Sequence, residues 1–299
     1  MRAEGPPDLP RPATGIDESL PRFVDTAEGR VAHHEAGEGE PALVILHGFT
    51  GHRDDFIGIL PSLAERRRVL APDLRGHGDS EPGPGASGWS FDQLVNDLLA
   101  FLDALGLERI DLLGHSVGGF VALRTALRAP ERIRSLAFLC TAPETPSLMD
   151  PKGWQAGVAI SAERGMDGFQ PLAERAMRGD PFPGLAAWGD DERYYAHHQR
   201  SHASMTPESY RGIGTTFFES ESLVARLPEV AMPALVLVGA QDHEWLPGAD
   251  LFEQHLPAAR RITIEGAEHH PHQENRAAFL EALETHLGDV EQAGQGDAN

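Results

Sequence analysis

The stretch RIDLLGHSVGGFVALRTAL, residues 109–127, constrains the fold more than any other part of the chain. Ile110, Leu112 and Leu113 read as a buried strand that stops at Gly114-His115-Ser116-Val117-Gly118. A helical pattern with Ala122, Leu123, Ala126 and Leu127 follows directly. A strand that passes into a helix through one serine flanked by glycines needs a tight, strained turn. Such a turn leaves the serine hydroxyl exposed at the carboxyl edge of a sheet. The five-residue motif alone is weak, and the strand before and helix after it make it specific.

The rest of the chain keeps the same rhythm. Short β-rich runs lie at Val31–Glu35, Ala42–His47, Val69–Asp73, Ile110–Gly114, Ile133–Leu139, Ala234–Gly239 and Arg261–Glu265. Asp54–Arg68 places Phe56, Ile59, Leu60, Leu63 and Ala64 on one helical face, and Phe91–Leu105 repeats the pattern, with Ser90 as N-cap and Gly106 as stop. Alternating strands and helices predict an α/β fold with a mostly parallel central sheet flanked by helices. From Glu144 to Gly214 the β-runs vanish and helical fragments such as Trp154–Arg164 and Glu192–Ser204 take over, which reads as a helical insertion in one sheet. The expected organisation is a loose N-terminal arm over 1–20, a core over 21–143 and 215–287, a helical cap over 144–214 and a disordered tail over 288–299. The arm holds four prolines in its first twelve positions, and the tail is polar, acidic and Gly-rich.

A serine hydroxyl is a poor nucleophile without a base, and the base needs an orienting carboxylate. Asp242 lies three residues beyond Gly239, where a buried strand ends. His269 lies three residues beyond Gly266, with His270 and His272 further round the turn. The cluster HHPH suggests a metal site, but Pro271 breaks any helical pairing of its histidines and no cysteine is near, so no metal is expected. Ser116, Asp242 and His269 stand in the Ser…Asp…His order that belongs to this turn type.

With these residues the chain resembles the α/β-hydrolase fold superfamily. The matching pieces are LHGFTG (46–51), DLRGHGDS (73–80), GHSVGG (114–119), APERI (129–133), MPALVLVGAQD (232–242) and GAEHHPHQENRAAF (266–279). The resemblance implies Ser116 as nucleophile, Asp242 as acid, His269 as base and a helical cap after Pro143. It implies an oxyanion hole from the backbone N–H groups of Phe49 and Val117, and it makes His47 a loop anchor and Asp73 part of a structural turn. Three positions depart from the family pattern: Glu268 stands where Gly usually precedes the histidine, Glu274 is followed by Asn275-Arg276 where Glu-x-Pro is usual, and HEWL lengthens the loop after the acid. The fragment SAERGMDGFQPLAERAM is similar to 3-oxoadipate enol-lactonases, and LHGFTG is similar to a menaquinone-pathway synthase. That synthase group carries Arg where Phe120 stands here.

The substrate is expected between cap and sheet edge, with Trp154, Trp188, Phe217 and Trp245, alongside Phe49, as lining residues. Arg164, Arg175, Arg178, Arg193, Arg200 or Arg211 are candidate partners for a substrate carboxylate. The expected function is a cofactor-free serine hydrolase of a small ester, lactone or thioester. A C–C or C–O lyase or C–C hydrolase using the same triad is the alternative, and a non-catalytic small-molecule receptor a second one.

Charge narrows the partners. The 299 residues carry 46 acidic and 25 basic side chains, a formal −21, and Lys152 is the one lysine. Such an excess repels nucleic acid and anionic membranes. No apolar run reaches the length of a membrane span, the start has no signal-peptide core, and the single Cys140 excludes an internal disulfide; a cytoplasmic protein is expected. Oligomeric state is left open. A charge this lopsided reads either as a solubilising surface or as adaptation to high salt. If self-repulsion limits the native state, the melting temperature rises from low salt to 1 M NaCl, where the Debye length is about 3 Å. A variant with surface Glu and Asp neutralised should lose most of that dependence, which separates repulsion from general salting-out.

Overall fold

A computed structural model describes residues 21–82, 88–149, 151–179 and 191–296. The proposed arm over 1–20 and the candidate lining residue Trp188 lie outside the described residues. In chain order, β1 (Arg22–Thr26), β2 (Gly29–Ala36) and β3 (Leu43–Leu46) precede a 3-10 turn (Arg53–Phe56) and α1 (Leu60–Ala64). Next come β4 (Val69–Pro72), β5 (Glu81–Pro82), α2 (Phe91–Ala104), β6 (Ile110–His115), α3 (Val117–Arg128) and β7 (Ile133–Leu139). Between β7 and β8 lie α4 (Pro151–Gly179), α5 (Asp191–Ala203) and α6 (Pro207–Phe218). The chain closes with β8 (Ala234–Gly239), α7 (Leu246–His255), β9 (Ala259–Ile264), α8 (Pro271–Glu274) and α9 (Arg276–Gly296).

The strands form one nine-stranded sheet in the order β1-β2-β4-β3-β6-β7-β8-β9, with β5 paired to β2 off this path. β2 is antiparallel to its neighbours, and every pair from β4 to β9 is parallel. Parallel strands bury both faces, and β3, β4, β6 and β8 accordingly are buried along their whole length. Alternation along β3 sends Val44 and Leu46 to the layer under α2, α3 and α7, and Leu43 and Ile45 to the layer under α1 and α9. In the first layer Phe138 of β7 stacks on Phe252 of α7, ring centres 4.3 Å apart.

Local signals account for most element ends. The Ser90 hydroxyl accepts from the Gln93 N–H at 3.2 Å and starts α2, and Gly106 at φ 68° follows its end. Where one helix was expected over Asp54–Arg68, the structure has the 3-10 turn and the five-residue α1, because Pro61 sits near the start of α1 and would break a helix arriving from Asp54. Strand β1 gave no sequence signal, since it is an edge strand and most of its side chains face solvent. In the inserted helices Gly165, at φ 72° and ψ 176°, breaks α4. α4 packs against α5 and α6, and the insertion is fixed to the core where Thr216 donates to the Trp89 carbonyl at 2.6 Å. No helix among the described residues is long and apolar enough to cross a membrane.

The expectation of a disordered tail from Gly288 is corrected by α9, which runs to Gly296. Composition misled because the apolar spacing continues beneath it: Leu283, Leu287 and Val290 are buried against the core. Acidic residues there meet arginines, with Glu291 lying 3.7 Å from Arg67 and 3.8 Å from Arg134, and Asp289 at 3.5 Å from Arg260. Truncation after Leu287 should therefore cost roughly 1–3 kcal/mol in urea unfolding, the scale of one buried aliphatic side chain plus partly exposed pairs. An unchanged midpoint would mean the last turns of α9 carry no packing.

Candidate active site

The turn between β6 and α3 places Ser116 at φ 52° and ψ −121°, a backbone conformation that L-residues rarely adopt. Its neighbours hold it there. The Ser116 N–H donates to the Leu139 carbonyl at 3.0 Å, and the Ser116 carbonyl accepts from the Thr141 hydroxyl at 2.7 Å and the Gly119 N–H at 2.9 Å. A Cβ on Gly114 would collide with Gly118, and one on Gly118 would lie 2.6 Å from the His47 carbonyl. Only glycine lets strand, helix and the loop after β3 come this close.

Asp242 stands past the end of β8 and His269 past the end of β9. The His269 Nδ1–H donates to Asp242 Oδ2 at 2.9 Å, which leaves Nε2 as the nitrogen with the lone pair. Asp242 is buried, whereas the His269 side chain is 23% exposed. Burial works against an imidazolium at His269, but the charge and hydrogen bond of Asp242 outweigh it and raise the pKa above the usual 6.5. Trp245 stacks on the His269 ring at 5.3 Å. His270 and His272 form no donor cluster with it. Among the described residues the grouping of possible metal donors is Cys140, Asp242 and His269, and two of those are already bonded to each other.

The loop after β3 is braced from behind. His47 Nε2 accepts from the Leu74 N–H at 2.9 Å, so its Nδ1–H donates to the Gly48 carbonyl at 2.8 Å. His77 donates through Nε2 to the Phe49 carbonyl at 2.5 Å. Burial holds both rings neutral, His47 well below the usual value. Asp73 accepts from the Arg53 and Asp79 N–H groups at 2.8 and 3.0 Å and pairs with the Arg53 guanidinium, which occupies it as a loop clamp. Behind the nucleophile, His115 donates to the His269 carbonyl at 2.8 Å, and burial together with the nearby His269 pushes its pKa down to about 3. Gly48 packs so near the serine that a Cβ there would lie 3.1 Å from Ser116 Cβ. Among the described residues the N–H groups of Phe49 and Val117 donate to no protein acceptor.

These parts open on one cavity of about 580 Å³, whose wall includes Phe49, Ser116, Asp242, Trp245 and His269. Phe217 and Trp154 are not part of that wall. Phe217 faces inward from α6 onto Phe120 and Trp245, at 5.2 and 6.1 Å, and Trp154 leans on Phe218 at 5.1 Å. Among the described residues no arginine lines the cavity, Arg164, Arg200 and Arg211 included, and the side chains of Arg175, Arg178 and Arg193 lie outside the described residues. Polar residues missed by the sequence reading stand there instead: His197, Ser201 and His202 from α5, and Gln241, Glu244, Glu268 and Gln273 around the triad positions. The spacing of His197, Ser201 and His202 on one helical face was a usable signal. His197 Nε2 bonds Asp55 Oδ1 at 2.8 Å, joining α5 to the 3-10 turn of the core. Burial disfavours a charge on Asp55, yet the His197 contact holds its carboxyl well below the usual range.

Comparison with known proteins agrees with this architecture. The sequence family described as alpha/beta hydrolase fold matches residues 41–275. The chain is 39% identical over 236 residues to 2-hydroxymuconate semialdehyde hydrolase of Pseudomonas sp. (strain CF600), covering 74% of this chain and 77% of that one. It is 33% identical over 211 residues to pimeloyl-[acyl-carrier protein] methyl ester esterase of Methylococcus capsulatus, covering 69% and 78%. The fold superposes on the enol-lactonase of Burkholderia xenovorans LB400 with a TM-score of 0.75 at 22% identity, over 89% of this chain and 100% of that chain, a likeness of fold alone.

The electrostatics make a test that needs no substrate. The His269 imidazole, followed by NMR, should titrate with a midpoint above 6.5. Asp242→Asn removes the charge that favours the imidazolium, so the midpoint should fall by roughly 1 unit or more. A midpoint unmoved by that substitution would mean that Asp242 does not govern the ring.

Proposed function

Since the chain belongs to the α/β-hydrolase fold family, we propose that it opens a small carboxylic ester, lactone or thioester through an acyl-enzyme on Ser116. In this reading the Ser116 hydroxyl attacks the carbonyl carbon while His269 Nε2 takes its proton. The same proton goes to the leaving alcohol or thiol. A water then attacks the acyl-enzyme with His269 again as base, releasing the acid and restoring the serine. Asp242 fixes the tautomer that leaves Nε2 free and stabilises the imidazolium. The N–H groups of Phe49 and Val117 receive the oxyanion, a pair of donors each worth roughly 10²–10³ in rate.

The observation that carries the reading is the 2.9 Å bond of His269 to Asp242 on the wall of the same cavity as the strained Ser116. The 33% identity to an esterase supports it. A second reading, hydrolysis of a C–C bond by the same triad, is favoured by the 39% identity to 2-hydroxymuconate semialdehyde hydrolase.

A fluorophosphonate probe should label the wild-type protein and leave Ser116→Ala unlabelled; equal labelling of the two would refute the nucleophile. Turnover of p-nitrophenyl esters or lactones at roughly 1 per second or faster, with C–C substrates untouched, is expected. The reverse pattern would transfer the assignment to the C–C hydrolases. Because His269 must be neutral to accept a proton, activity should fall as pH drops through a midpoint above 6.5.

A further inference from the structure

Among the described residues, the wall of the catalytic cavity contains four carboxylates, Asp55, Asp242, Glu244 and Glu268, and no lysine or arginine. Two of the four are matched. Asp55 has His197 at 2.8 Å and Asp242 has His269 at 2.9 Å. Among the described residues Glu244 and Glu268 pair with no cation within 4 Å, and Glu268 Oε2 is shut from solvent without a hydrogen-bond partner. The backbone of Glu268 is tied down. Its N–H donates to Glu274 at 2.5 Å, and its carbonyl accepts from the Cys140 thiol at 3.5 Å. A negative group brought into this cavity meets two unmatched carboxylates, one on the exposed Glu244 and one on the partly buried Glu268, and a positive one meets two partners.

We infer that the cavity selects for substrates bearing a cationic group, such as a quaternary ammonium, near the scissile bond and against those bearing a carboxylate, with Glu268 and Glu244 as the discriminating side chains. This rests on the hydrolase reading and narrows it to a substrate charge class. A carboxylate-bearing acyl or lactone group finds no arginine or lysine among the described wall residues to replace its hydration. A quaternary ammonium is weakly hydrated and loses little on entering a cavity lined by carboxylates and the Phe49 ring. The acidic surface adds long-range steering of the same sign.

The selectivity carries a pH signature. Burial, then the charges of Glu274 and Asp242, push the Glu268 carboxyl up to about 7, with Glu244 acting in the same direction and His269 opposing. Below that pH Glu268 is neutral, and above it the second unmatched charge appears, so preference for the cation should grow as pH rises through about 7. Histidines share this wall, with His197 and His202 of α5 and His243, His269 and His270 around Glu244 and Glu268. The step therefore has to be assigned by substitution. Neutralisation of His269 switches on turnover of every substrate alike and cancels from a ratio of substrates.

The test uses butyrate esters of choline, of its uncharged tert-butyl isostere and of a hydroxy acid of equal length, with a second series carrying these groups in the acyl half. Wild type at pH 8.5 should prefer the cationic to the anionic ester in kcat/KM by at least about tenfold in one of the two series, the scale of one unit charge at short range. The ratio should shrink toward pH 6. Glu268→Gln should remove that pH step, and Glu244→Gln should lower the ratio at all pH values. A wild-type ratio near one with the neutral ester turned over would overturn the inference while leaving the hydrolase reading intact. If no ester is turned over, the hydrolase reading falls, and calorimetry with Ser116→Ala still decides the charge preference. Tighter binding of the cationic esters supports it, and equal or reversed affinities overturn it.

Discussion

How near β6, α3 and the loop after β3 can approach one another sets the geometry of the whole catalytic edge. Gly114, Gly118 and Gly119 carry no side chain at the points of contact, and a Cβ at any of them would run into the opposing chain. That closeness forces the reversal to be made at Ser116, whose positive φ costs on the order of 1–3 kcal/mol. The strain persists because the residue is tied on both sides, through its N–H to β7 and through its carbonyl to Thr141. Burial of β3, β6, β7 and β8 between two apolar layers is what holds these ties in register. The hydroxyl is thus presented by the stability of the sheet.

Histidine does two different jobs at this edge, and burial decides which. His47, His77 and His115 are enclosed without a carboxylate bonded to the ring, and burial keeps them neutral. A neutral ring offers one donor and one acceptor, which suits His47 for joining Leu74 to Gly48 across the back of the loop. His269 differs by one contact. The Asp242 carboxylate turns the same ring into a group that takes up a proton more readily than a free imidazole.

Most of the sheet could be read from the chain, because buried parallel strands leave apolar runs and the glycine-serine turn has few structural uses. The 3.6-residue pattern of Phe91–Leu105 and its Ser90 cap placed α2 within a residue of its ends. Reading failed where the deciding contact was tertiary. β1 has no apolar run since it lies at the sheet edge, and α9 outlasts its composition because Val290 and Glu291 find partners that are distant in sequence. Aromatic rings in the insertion suggested a pocket lining, yet Phe217 is drawn into the core by Phe120 and Trp245. The polar wall residues carry weak local signals, and their roles come from α5 folding over the triad positions.

The hydrogen bond between His197 and Asp55 makes one helix of the insertion a lateral wall of the reaction chamber. No atom of Ser116, Asp242 or His269 belongs to α5. Drift in the sequence of α5 can therefore reshape what the chamber admits while the reacting groups stay as they are. The contact to Asp55 limits that freedom at His197, which ties the helix to the core. A lineage of such proteins could exchange substrates by rewriting a few turns of one helix.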